Sequence, residues 1–444
     1  MKNRSNRYWF ASVFALLSLK TMAQDTLVYP RRCASDERNE VLNLRYPGLA
    51  QRRTNAELRI NKFIKEGKGK LRTSADGEII RIPVVVHVVH NTGDGRIGGL
   101  DNPNISKEQI LSQIEVLNED YRRKEDTNGF NTDPVGVDTG IEFFLAEFDE
   151  DGRVTDGITR TYTQKKEFDP RNDDDELAAL IHWPSDQYLN IWVCKLIPTI
   201  LGVAQFPSVS GLDGMDMSEA ALDKTDGVFI DFKAFGRQTG AITSSMYNLG
   251  RTATHEIGHW LGLIHPWGLD NYNCGTDYCE DTPPTDRGYE PRTAVCEEVF
   301  SNCNRTRNRV MIENYMDYSP DKCMNIFTAD QLARMKAVLA LSPRRVKLIE
   351  NEKKGRLAAS EQLTISIYPN PITENELRAD VSFFDYQDLT VTIYDLIGLP
   401  KSIMSFREAW SKRIRMDVSK LPAGIYILEA KTNNEVVTKR FVVY

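Results

Sequence analysis

The sequence predicts an α+β chain: a mixed, twisted sheet with helices, then an irregular subdomain, then a small C-terminal β-sandwich. Three observations lead there. Short β-branched runs, clearest at residues 80–90 (IRIPVVVHVVH), alternate with helical patterns over the first 260 residues. Between Cys274 and Cys323 lie five cysteines among Gly, Pro and Asp, with little periodicity. After Thr364 come short alternating strands separated by turns at regular spacing. A length of 444 residues calls for more than one domain. A net charge of −7 argues against nucleic acid as the main partner. No apolar run reaches the length of a transmembrane span, and no solenoid repeat is visible.

The N-terminus has the form of a secretory signal. Lys2, Arg4 and Arg7 precede a short apolar core from Trp9 to Leu19, and Thr21-Met22-Ala23 offers a cleavage site before Gln24. Export permits disulfides. Residues 24–53 carry charge without a periodic apolar pattern. Ile80–His90 reads as a buried strand, with His87 and His90 as satisfied sheet histidines. Ser106 caps a helix that runs to about Arg122. Further strands are expected at Ile141–Phe148, Leu189–Leu196 (with Cys194 buried and unpaired), Gly202–Phe206 and Gly227–Phe232.

The next element carries chemistry. Residues 255–265 read HEIGHWLGLIH. On a helix His255 and His259 project from one face, one turn apart, and can grip one zinc ion. Glu256 can reach a water on that metal but not the metal itself. Gly262 lets the chain leave the helix in a conformation that a side chain resists, bringing His265 round as third ligand. Three neutral imidazoles leave one tetrahedral position open, the mark of a catalytic site. Downstream, Glu313-Asn314-Tyr315-Met316-Asp317-Tyr318 supplies a Met-containing turn. The long motif and this turn resemble the metzincin signature, which implies Met316 beneath the metal and Tyr318 within reach of an oxyanion. Thr328 is the N-cap of a closing helix through Leu332, Met335 and Leu339.

HEIGHWLGLIHPWG, the cysteine-rich loop with DTPP, and ENYMDYSPDKCMNIFTADQLARM together resemble the pappalysin family of metzincin proteases. The likeness runs over roughly residues 55–345. It implies a mixed-sheet upper subdomain ending at the zinc helix, with the strand at Gly202–Phe206 as the edge that pairs substrate main chain. It implies residues 24–53 as a pro-peptide and 54–350 as the catalytic domain. By analogy with cysteine-switch zymogens, Cys33 would take the open zinc position while Asp36 pairs an arginine. Gln51-Arg52-Arg53-Thr54 is a plausible maturation site. Spacing alone leaves the cysteine connectivity open. The family pattern implies Cys274–Cys303 and Cys296–Cys323, with Cys279 left over. Hard oxygens at Asp277, Thr282, Thr285 and Asp286 suit one or two calcium ions, which the family binds near here. Asp321 is expected in the S1′ pocket, favouring cleavage on the N-terminal side of arginine or lysine.

Residues 351–361 read as a charged linker. Residues 362–444 show YPNP, then DLIG, then LPAGIY, then a basic and apolar terminus. That order resembles the type IX secretion sorting domain of Bacteroidetes. It implies an engagement with that machinery and a secreted or outer-surface destination in a Gram-negative cell. The expected activity is zinc-dependent endopeptidase action on protein or peptide substrates, with Glu256 as general base and Tyr318 assisting. The rivals are a different S1′ preference, or a non-catalytic zinc-binding adhesin.

Overall fold

A computed structural model describes residues 31–67, 79–151, 153, 155–207, 222–269, 274–291, 293–358, 363–372, 375–383, 387–409 and 412–444. The expected signal segment and its cleavage site lie outside these residues.

Strand β1 (Arg31–Cys33) leads into helices α1 (Ser35–Arg45) and α2 (Leu49–Lys65). There follow β2 (Ile80–His90), α3 (Lys107–Tyr121), β3 (Ile141–Leu145), β4 (Ile158–Tyr162) and α4 (Asp174–Leu180). Then come β5 (Leu189–Cys194), β6 (Ile200–Ala204), β7 (Gly227–Asp231) and α5 (Arg251–Trp260). The strands form one seven-stranded sheet in the order β1-β6-β7-β5-β2-β3, with β4 also on β2. Only β6 against β7 is antiparallel among these pairs.

The continuous apolar run of β2 follows from cover on both faces. Ile82, Val84, Val86 and Val88 join one core with Ile110 and Leu117 of α3 and with Ala253 and Ile257 of α5. Val89 belongs to the opposite face with Trp192, Phe229 and Leu177. His87 sits there neutral, between Thr159 Oγ1 at 2.7 Å and Asn190 Oδ1 at 2.8 Å. Ser106 caps α3 as expected, accepting from the Gln109 N–H.

Beyond α5, β8 (Phe300–Cys303) and β9 (Thr306–Arg309) form a hairpin. Disulfides Cys274–Cys303 and Cys296–Cys323 staple this irregular region, while Cys279 and Cys194 are buried thiols. Helix α6 (Ala329–Leu341) starts at a full capping box on Thr328, and α7 (Pro343–Ala358) follows. The last module holds β10 (Thr364–Tyr368), β11 (Glu376–Ser382), β12 (Gln387–Asp395), β13 (Pro400–Ala409), β14 (Lys412–Asp417), β15 (Gly424–Lys431) and β16 (Val436–Val443). Sheets β10-β11-β14 and β13-β12-β15-β16 enclose a core that includes Leu377, Val381, Val391, Ile393 and Leu428.

Three features depart from the sequence reading. Residues 351–358, expected as linker, continue helix α7. The expected boundary at residues 53–54 falls inside α2, whose later half docks Ala56 and Ile60 on Ala337 and Val338 of α6. Residues 35–45 are helical although no apolar stripe announces it. α1 buries only Ser35, Arg38 and Leu42, so polar contacts position it rather than an apolar face.

Candidate active site

All ten residues of α5 are buried, so this is a core helix held at both ends by charge. At its start, Asp321 Oδ2 accepts from the Leu249 N–H at 2.9 Å and the Arg251 N–H at 3.2 Å. A carboxylate there offsets the unpaired N–H groups of the first turn. Arg251 in turn reaches Asp120 Oδ1 at 2.9 Å, and Thr254 Oγ1 reaches Asp120 Oδ2 at 2.7 Å. At the other end Asp226 accepts from Trp260 Nε1 and from Arg345 Nη2, each at 2.8 Å.

The helix stops where Gly262 takes φ +88°, a left-handed conformation. A Cβ at that glycine would lie 2.5 Å from Val338 Cγ2. The turn returns His265 to the helix face. Its Nε2 lies 3.2 Å from that of His255 and 3.1 Å from that of His259, and His255 and His259 are 3.1 Å apart. The opposite nitrogen of each ring has a partner: Tyr315 O at 2.7 Å for His255, Leu263 O at 2.9 Å for His259 and Asp36 Oδ2 at 2.9 Å for His265. Nδ1–H therefore donates outward and the Nε2 lone pairs converge. Three lone pairs at this spacing repel one another unless a cation sits among them. Zn–N bonds of about 2.0–2.1 Å in a tetrahedron put ligand nitrogens roughly 3.3 Å apart, which the observed triangle fits. Burial, then the neighbouring His265, lowers His259 to about 3, leaving it neutral as a ligand must be.

Cys33 enters this site from β1. Its sulfur lies 3.5 Å from His259 Nε2 and 3.5 Å from Glu256 Oε2, and with the three histidines it forms a set of donors all within 4.8 Å. Burial first, then Glu256 and Asp36, push the Cys33 thiol well up. Asp36, expected to pair an arginine, meets His265. Ser35, which sequence reasoning passed over, donates its hydroxyl to Glu256 Oε2 at 2.9 Å and accepts from the Ala204 N–H at 2.8 Å.

Met316 is fully buried under α5. A Cβ on Gly258 would sit 2.5 Å from Met316 Sδ, so that glycine lets the methionine close on the helix backbone. Likewise a Cβ on Gly202 of β6 would sit 2.7 Å from Glu256 Cγ. Neither glycine was singled out from sequence, although a glycine inside a strand signals close approach. Tyr318 packs edge-on to His265 at 4.9 Å and Trp267 at 4.7 Å, while Trp267 stacks on His265 at 4.5 Å.

The remaining expected residues lie apart from this cluster. Asp277 is buried, with Oδ2 accepting from Thr282 Oγ1 at 2.7 Å and Oδ1 from the Cys279 N–H. Burial raises its carboxyl to about 6. Thr285 donates to Arg287 O at 3.1 Å, and Asp286 is half-buried on the same loop. Asp321 is 1% exposed, its bonds turned toward the helix start.

Comparison with known proteins agrees with this geometry. The sequence profile described as peptidase M43, pregnancy-associated plasma protein-A, matches residues 172–340. A secretion system C-terminal sorting domain profile matches residues 366–444. A mutant of Tannerella forsythia promirolysin shares 37% identity and a TM-score of 0.57, covering 73% of this chain and 99% of its own. Mature mirolysin in complex with a cleaved peptide shares 40% identity and a TM-score of 0.52, covering 62% and 97%. Extracellular metalloprotease 1 of Coccidioides posadasii is 29% identical over 261 residues, 58% of this chain and 76% of that protein.

Fold, site and relatives define a secreted metalloendopeptidase, of a kind whose metal is zinc. The chain belongs to the pappalysin family. Its sorting tail directs it to the cell surface or the extracellular space by the Bacteroidetes-type route. Among the described residues no helix is long and apolar enough to cross a membrane.

Proposed function

We propose that the chain is the zymogen of an endopeptidase that cuts on the N-terminal side of arginine or lysine. Residues 24–53 serve as pro-segment and 54–350 as catalytic domain. His255, His259 and His265 hold the metal, with Cys33 as fourth ligand until the pro-segment leaves. A zinc ion there supplies Lewis acidity toward water and the scissile carbonyl. Glu256 takes the proton of the attacking water and returns it to the leaving amine. Tyr318 donates to the developing oxyanion, and Met316 closes the floor. The observation that carries the reading is the convergence of three imidazole Nε2 atoms with Glu256 beside them and Cys33 over them.

Latency is supported by Cys33, Ser35 and Asp36 meeting His259, Glu256 and His265. Maturation at Arg52 or Arg53 would be a self-cut under this specificity. Asp277, Thr282, Thr285 and Asp286 are proposed to hold calcium. A carboxyl that burial raises to about 6 gains from a cation beside it. Asp321 supports the basic preference by its place on the loop after Met316 and Tyr318. Its burial and its bonds to the α5 start favour a second reading, in which it caps the helix and another group sets P1′.

The test is a digest of a denatured protein mixture by mature enzyme with zinc and calcium, the new N-termini read by mass spectrometry. Arginine and lysine directly after the cut are expected. Cuts elsewhere would move Asp321 to the capping role. Zinc binding with no cuts would refute the catalytic assignment.

A further inference from the structure

Arg38 on α1 is 1% exposed, and every group that receives it belongs to the expected catalytic domain. Its Nη2 lies 2.8 Å from Asp174 Oδ2 and 3.1 Å from Gln205 Oε1, and its Nη1 lies 3.5 Å from Ala204 O. The guanidinium also lies 5.6 Å from the Phe229 ring centroid. The pocket is built without Arg38. Gln205 donates to Leu222 O at 2.8 Å and accepts from Thr225 Oγ1 at 2.7 Å, which fixes its amide. Asp174 is itself 1% exposed, in the first turn of α4. Among the described residues its cation partners are Arg38 and Arg45, and both lie on α1. Departure of α1 strips the carboxylate of both and leaves a walled, anionic pocket shaped for a guanidinium.

The pocket also lies beside the strand that β1 covers. The outermost strand β1 pairs with β6 with Cys33 opposite Gly202, beside Glu256. Ala204 and Gln205 follow two and three residues later, about 7–10 Å along the strand. We infer that the Asp174–Gln205 pocket is a second substrate subsite of the mature enzyme, selective for an arginine two or three residues from the scissile bond. The inference rests on the zymogen reading, since α1 must leave for the pocket to open. A substrate strand that replaces β1 on β6 presents a side chain there by backbone pairing. Arginine is preferred to lysine because Asp174 and Gln205 receive one guanidinium nitrogen while the Ala204 carbonyl lies 3.5 Å from the other and the Phe229 ring lies beside the planar group.

The test uses mature enzyme and a peptide with one cleavage site. Arginine or citrulline, of the same shape without the charge, is placed in turn at each position within three residues of that site. At one position two or three residues from the cut, arginine is expected to raise kcat/KM at least about tenfold over citrulline, through KM and less so at high salt. Asp174→Asn is expected to bring that ratio close to one. A wild-type ratio near one at every position two or three residues from the cut overturns the inference without needing the variant to fold. The active species is sequenced from its N-terminus in the same experiment. If it still carries α1, the zymogen reading fails and this subsite with it. If α1 is gone and arginine gives no advantage, only the subsite fails.

Discussion

Gly202 faces Glu256, and Gly202→Ala tests how tightly the proposed general base is placed. The added Cβ would stand 2.7 Å from Glu256 Cγ, 2.8 Å from Oε1 and 3.1 Å from Cδ, where ordinary contact begins at 3.4 Å. Something must retreat by about 0.7 Å. Strand β6 is held by its antiparallel ladder to β7, with Gly202 opposite Ile230. The glutamate side chain is the softer partner, so it moves and the strand stays. Overpacking of this kind costs about 1–3 kcal/mol, at the lower end where a side-chain terminus can yield. The catalytic cost is larger. A reacting group displaced by about 1 Å loses on the order of a hundredfold in rate, equivalent to about 2.7 kcal/mol of barrier. Mature Gly202→Ala should therefore bind zinc as the wild type does and melt within a few degrees of it. Its kcat should fall about a hundredfold, with KM changed little. Steady-state kinetics on one peptide, zinc content by metal analysis and a thermal melt decide it. A kcat within about threefold of wild type, at full zinc content, would refute the claim that this glycine exists to make room for Glu256.

Other perturbations separate latency from architecture. Cys33→Ala in the full chain should raise zymogen turnover at least about tenfold, since Ser35 and Asp36 remain as weaker blocks; unchanged latency on a fluorogenic peptide would remove the thiol from the mechanism. Asp226→Asn should cost about 3–5 kcal/mol, or roughly 10 °C in melting temperature. Burial works against that carboxylate, yet Arg345 and Arg344 hold it below its usual range, and its loss strands a fully buried Arg345. Acid should weaken the fold through His87, which burial lowers to about 4 despite its bond to Asn190. Between its unfolded value of 6.5 and about 4, the unfolded chain binds the extra proton. This term is harmless above pH 6.5 and withdraws stability as pH falls through that window, to about 3 kcal/mol below pH 4. Denaturant melts of wild type and His87→Gln across pH 7 to 4 should converge on acidification; parallel curves would count against it.

The zinc helix was legible because its information is local. Spacing within eleven residues sets the direction of three imidazoles, and one glycine turns the chain. The strands of the sheet were legible because both faces of β2 need apolar cover. The polar β4 was not, since its side chains remain partly exposed and carry no apolar run. What Gly202 and Gly258 make room for could not be read: a side chain there is forbidden by Glu256 or Met316, brought near only by the fold.

The same logic explains why the residues after Cys33 looked structureless in the sequence. A helix that docks through an apolar stripe betrays itself by period, but α1 docks largely through polar contacts to Glu256, His265 and Asp174. Ser35 satisfies Glu256 and the Ala204 N–H, Asp36 meets His265, and Arg38 fills the Asp174 pocket. Each partner lies 136 to 229 residues away in sequence, so no local pattern can encode it. A pro-segment of the proposed kind, built this way, needs little apolar surface of its own. Severed, the proposed pro-segment would depend on a helix of 11 residues with three buried, and a helix that short is marginal in water by itself. On the proposed zymogen reading, the scarcity of hydrophobic signal in α1 is what would let the segment block the cleft while joined to the chain and leave it when severed.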